Sequence, residues 1–177
     1  QYGVASFVYR RRRPFAAPRL AALLAARLAD EGHALSPSKL LRSKGDCWLL
    51  HEPRLKLEWA SAAGPCQIVV SSPWLGALVH RTPVDPALVA AVELKDDWHP
   101  TYADRATVLV FIGQGLDRGA VERELDAALA TDKEEAVLLA HPGGLEAAAT
   151  AAPEGSGWLG EVIAPVQALM ADEQRPN

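Results

Sequence analysis

The chain lacks most of the features that announce a chemistry. It holds two cysteines in 177 residues, Cys47 and Cys66, too few for a disulfide framework, so a reducing, cytoplasmic setting is the expectation. Its apolar runs, such as Val108 to Ile112, are far too short to cross a bilayer. No signal peptide opens it, because Arg10 to Arg13 follows an apolar segment instead of preceding one. The first residue is Gln1 and not Met, which reads as an excised or processed fragment. No GxxxxGKS/T motif occurs; Lys44-Gly45 has the wrong order, and no Gly-rich loop joins a strand to a helix. GxSxG, HExxH and CxxC are also missing. No catalytic residue, cofactor ligand or metal ligand can therefore be named on this chain.

What is present suits one soluble domain with a real core: 49% hydrophobic and 23% charged residues. The net charge of −4 hides an asymmetry. Residues 1–60 carry 11 Lys/Arg against 5 Asp/Glu, a balance of +6, and residues 61–177 carry 7 against 17, a balance of −10. A basic first third could face an acidic partner, a phosphate or another domain. The blander reading, preferred here, is that both halves fold together and their charges mix on one surface.

Periodicity gives a coarse architecture. Tyr2 to Tyr9 reads as a strand, and Pro18 to Glu31 as a helix with Leu20, Leu23, Leu24 and Leu28 on one face. Gly45 breaks the next stretch, so Cys47 to His51 is the second strand, with Pro53 at the turn into Arg54 to Trp59. Gln67 to Ser71 is a fourth strand, announced by Gly64-Pro65. Asp85-Pro86 starts a helix ending near Leu94, stapled by Val84 and Val89. Thr107 to Gly113 is a fifth strand, nearly all apolar and central in the sheet. Asp117 caps a helix stapled by Leu116 and Val121, with Val121, Leu125, Ala128 and Leu129 as its buried stripe. Thr131 to Glu134 fits a capping box, residues 144–157 read as a loop, and a last helix follows with Pro165 near its start. Residues 172–177 should fray. The expectation is an α+β two-layer sandwich. A mainly antiparallel sheet of four or five strands carries helices on one face, in the order β-α-β-β-β-α-β-α plus a helical tail. The core domain would span 1–140, with 141–177 an Ala/Gly-rich loop and a helix packed on it or extending from it.

Candidate contacts are few. Arg10, Arg11, Arg12 and Arg13 could grip phosphates, RNA or an acidic interface, or could simply end a strand with side chains on both faces. Nearby rings are limited to Tyr9 and Phe15, and the overall charge is negative, so nucleic acid is disfavoured. Asp104-Arg105 could clamp another domain or form a local ion pair at the start of the fifth strand. Trp98 and His99 complete a polar lead-in to that strand, and Trp98 and Trp74 are better placed in a core than at an interface. Cys47 and His51 share a strand face but lie about 13 Å apart by strand rise, too far to share a zinc ion there.

Four blocks carry a family resemblance: YGVASFVYRRRRPF at Tyr2 to Phe15, LLRSKGDCWLL at Leu40 to Leu50, SSPW at Ser71 to Trp74, and the stretch from Asp97 to Glu135. In this order they resemble the C-terminal domain of CobW-type P-loop GTPase metallochaperones. Residues 46–47, 106–108 and the single Trp of SSPW depart from that text. The resemblance implies an upstream GTPase domain in the same polypeptide, with GTP, Mg and zinc or cobalt bound there. It implies a client metalloprotein as partner, and for this chain a non-catalytic role in client docking or in regulating the GTPase. The alternative is an RNA- or phosphate-binding module built on Arg10 to Arg13.

Overall fold

The computed structural model describes residues 3–79, 85–94 and 97–172. Five strands, β1 (Val4–Arg11), β2 (Leu40–Leu49), β3 (Glu52–Ala62), β4 (Gln67–Pro73) and β5 (Thr107–Gln114), form one sheet in the order β1-β5-β2-β3-β4. Every pairing is antiparallel. The helices are α1 (Ala17–Ala29), α2 (Leu75–Leu78), α3 (Pro86–Glu93), α4 (Arg118–Ala128), α5 (Asp132–Leu139), α6 (Gly144–Ala147) and α7 (Trp158–Asp172). This is the α+β architecture expected from the sequence.

Alternation along each strand sorts the side chains. On β5, Leu109 and Phe111 are buried while Val110 is exposed, and on β3, Leu55, Leu57 and Trp59 are buried while Lys56 and Glu58 are not. Leu20, Leu23 and Leu24 of α1, Val121 and Leu125 of α4, and Leu159 and Ile163 of α7 close over that buried face. Each large side chain removed from water this way contributes about 1.5–3 kcal/mol. On the other face Val8 of β1, Val110 of β5 and Lys44 of β2 are exposed side by side.

Several expectations need correction. Gly45 does not interrupt β2: it pairs with Trp59 on one side and Leu109 on the other. A Cβ there would stand 2.0 Å from the Val108 carbonyl oxygen, so the residue marks a close backbone approach and not a break. The turn into β3 falls at Leu50 and His51, and Pro53 lies inside the strand. β5 is interior, but β2 holds the middle position. On α1, Leu28 is half exposed and Arg27 is buried in its place, donating to the carbonyls of Leu35 and Gly64. Residues 144–157 contain the short α6, and Pro165 sits in mid-α7, where it removes a helix hydrogen bond.

Local start signals fare better. Asp85 accepts from the Ala87 N–H, Asp117 from that of Ala120, and Thr131 and Glu134 form a reciprocal capping box. The expected Val84–Val89 staple and residues 173–177 lie outside the described residues.

Candidate functional site

The four consecutive arginines meet different fates, because alternate residues of a strand face opposite ways. Arg11 turns to the helix side and grips Asp126 of α4 with Nε and Nη2, each at 2.9 Å. The Tyr9 hydroxyl donates to the same carboxylate at 2.8 Å, and burial together with this acceptor raises the phenol's pKa well above its usual range. Arg12 donates to the carbonyls of Ala103, Arg105 and Asp97. Arg13 reaches the carbonyl of Ala130 and the carboxylates of Asp132 and Glu135 on α5. Arg10 alone of the four points from β1 into the face of Val8 and Val110, where it is exposed beside Val108.

Asp104 and Arg105 form the centre of a seam between elements distant in sequence. Both carboxylate oxygens of Asp104 accept from the start of α2, from the N–H of Leu75 at 3.0 Å and of Gly76 at 2.9 Å. Arg105 is 2% exposed and commits all three guanidinium nitrogens: Nε to the Pro53 carbonyl, Nη1 to that of Tyr102, and Nη2 to the Glu146 carboxylate of α6. Glu146 retains one buried oxygen, Oε2, without a partner. Gly76 packs tightly here; a Cβ on it would meet the Ala103 Cβ at 2.6 Å and Arg105 Nη1 at 2.8 Å.

His99 is half-buried, with Nδ1 accepting from the Thr101 and Tyr102 N–H groups, and Trp98 is half-buried as well. Tyr102 donates to Glu135, and burial with that bond pushes its hydroxyl up to about 12. Trp48 and Trp74 belong to a second apolar cluster with Leu138, Leu145 and Ala148, and each indole N–H reaches a carbonyl, of Arg12 and Leu55.

The structure thus brings Arg12, Asp104 and Arg105 together as parts of one seam, with Arg11 and Arg13 tied to neighbouring helices. Among the described residues it does not gather a cluster of metal-ligating side chains. Cys47 is fully buried opposite Leu57, whereas Cys66 adjoins Gln67, which pairs with Ala60. β3 lies between the strand of Cys47 and the strand that Cys66 enters, and both cysteines are free thiols. Burial raises the Cys47 pKa and pushes Cys66 up to about 12, so neither is poised as a thiolate. Among the described residues no three His, Cys, Asp or Glu side chains are arranged to hold a metal ion. No described helix is long and apolar enough to cross a membrane.

One group escaped the sequence reading. His51, considered only as a partner for Cys47, is 6% exposed, and its Nε2 finds no partner. It lines a cleft of about 490 Å³ between the first turn of α1, α5 and the segment following α6. A histidine at a strand-to-strand turn gives no sign of this, because the facing walls come from segments remote in sequence, within residues 16–19 and 133–153.

A helix-backed antiparallel sheet with a buried ionic seam defines a small α+β domain. The description "cobalamin synthesis protein cobW C-terminal domain" matches residues 4–129, and the chain belongs to that family. A relative in Dictyostelium discoideum, "Zinc-regulated GTPase metalloprotein activator 1", is 34% identical over 135 residues, 76% of this chain and 27% of the relative. The chain therefore spans about a quarter of that protein's length. Crystal structures of the Zn(II)-bound YjiA GTPase from E. coli and of a Zn(II)-bound triple mutant of YjiA match 72% of this chain and 30% of theirs. They do so at 18% identity and a TM-score of 0.48, which adds nothing beyond the family match.

Proposed function

We propose that this chain is the non-catalytic C-terminal domain of a cytoplasmic, GTP-dependent metal chaperone, with zinc as the first choice of cargo and cobalt as the second. It would dock a client metalloprotein or regulate a GTPase unit of the same polypeptide. The observation that carries this reading is the family match over residues 4–129 in a chain without a P-loop motif. The printed name of the 34% identical relative supports the choice of zinc and of a metalloprotein client. GTP and Mg would belong to the GTPase unit; among the described residues this chain offers no metal cluster.

The contact surface narrows to Arg10, Trp98 and His99. Arg11, Arg12, Arg13, Asp104 and Arg105 have internal partners, so their role is to hold the surface in shape. This also weighs against a phosphate or RNA grip by the arginine run, which would need several free guanidinium groups. The test compares the full-length parent with a version lacking this domain, reading GTP turnover and zinc transfer to an apo client. Loss of transfer or altered turnover on deletion is expected; unchanged values for both would overturn the reading.

A further inference from the structure

We infer that the cleft around His51 is a binding site for a small organic acid, an apolar body carrying one carboxylate. Its volume, about 490 Å³, falls in the roughly 300–1,000 Å³ range of small-molecule pockets. Leu50, Val137, Leu138, Ala148 and Pro153 supply apolar walls.

The polar groups converge on one end of the requirement. Ala16, Ala17, Pro18 and Arg19, the start of the thirteen-residue α1, all line the cleft. That helix has no side-chain cap and no acid in its first turn. Leu20 already donates to the Ala16 carbonyl and Pro18 has no N–H, so the amides of Ala17 and Arg19 are left for an outside acceptor. A helix start of this kind favours an anion.

One feature outside the helix start agrees. His51 is more than nine-tenths buried in the cleft wall, and its Nε2 lacks a partner. Arg19, on the same wall, likewise has a buried Nε without one. Charge then selects the head group. Arg19 is paired with Glu134, which leaves the exposed Lys133 as the surplus cation among the described lining residues. One carboxylate matches one surplus positive charge, whereas a doubly charged phosphate would also face Glu134. The apolar walls require the rest of the ligand to be hydrocarbon-like.

The experiment is calorimetric titration of the full chain with hexanoate, hexanol and inorganic phosphate, with amide shift mapping of the hexanoate complex. Saturable 1:1 binding of hexanoate is expected, about tenfold tighter than hexanol, with shifts centred on His51 and Ala17. Lys133→Glu, an exposed substitution that leaves the fold intact, should weaken hexanoate several-fold and leave hexanol unchanged. His51→Gln should weaken it as well. Equal affinity for acid and alcohol, no saturable binding, insensitivity to Lys133→Glu, or binding only of phosphate would each overturn the assignment.

Discussion

Two polar regions of the molecule lie close together and differ in one respect. At the seam, Arg105 is buried and every guanidinium nitrogen has an acceptor. At the cleft, His51 is nearly as buried and its Nε2 has none. Both pose the same physical problem, a polar group withdrawn from water, which costs free energy unless it is hydrogen-bonded. The fold solves it for Arg105 and leaves it open for His51. A satisfied buried group rigidifies its surroundings; an unsatisfied one calls for a partner such as ordered water or a ligand.

The largest expected effect breaks the solved region. Arg105→Leu leaves the Pro53 carbonyl and the Glu146 carboxylate without their donor, and urea unfolding should show a loss of about 3–5 kcal/mol. Asp104→Ala removes both acceptors from the start of α2; about 2 kcal/mol should go, with α2 amides exchanging faster. Thr131→Ala breaks the capping box of α5 and should cost about 1 kcal/mol by thermal unfolding.

A smaller effect appears in acid. The Arg19 guanidinium bonded to Glu134, helped by the Thr131 N–H, holds that carboxyl at about 2, against a usual 4.5. A carboxylate with a depressed folded pKa stabilises above its unfolded value and loses that contribution as pH falls through the folded one. The stability curve should therefore slope downward between about pH 4.5 and 2. Arg19→Met should flatten part of that slope, modestly, because the pair is partly solvent-exposed. Arg10→Ala, on the face of Val8 and Val110, should change stability by less than about 0.5 kcal/mol.

The sequence is legible where the physics is local. Asp117 caps α4 and Thr131 caps α5 through partners three residues away, and both were readable from spacing. Strand alternation in β3 likewise showed its buried face. Elsewhere the decisive partner is remote. Arg11 was ambiguous because its carboxylate, Asp126, lies 115 positions along the chain. Gly45 reads as a breaker from sequence because the Val108 backbone that excludes a side chain there belongs to another strand. Arg27 and not Leu28 is buried on α1 because the carbonyls of Leu35 and Gly64, outside the helix, draw the guanidinium inward. His51 looked ordinary because its cleft is completed by residues up to Pro153.

The central claim, a domain of this family that does no nucleotide chemistry itself, is tested most directly by assaying the purified 177-residue chain for GTP hydrolysis with magnesium, with and without zinc. The account predicts turnover indistinguishable from a protein-free blank in both conditions. Saturable GTP hydrolysis that co-purifies with the chain would contradict it.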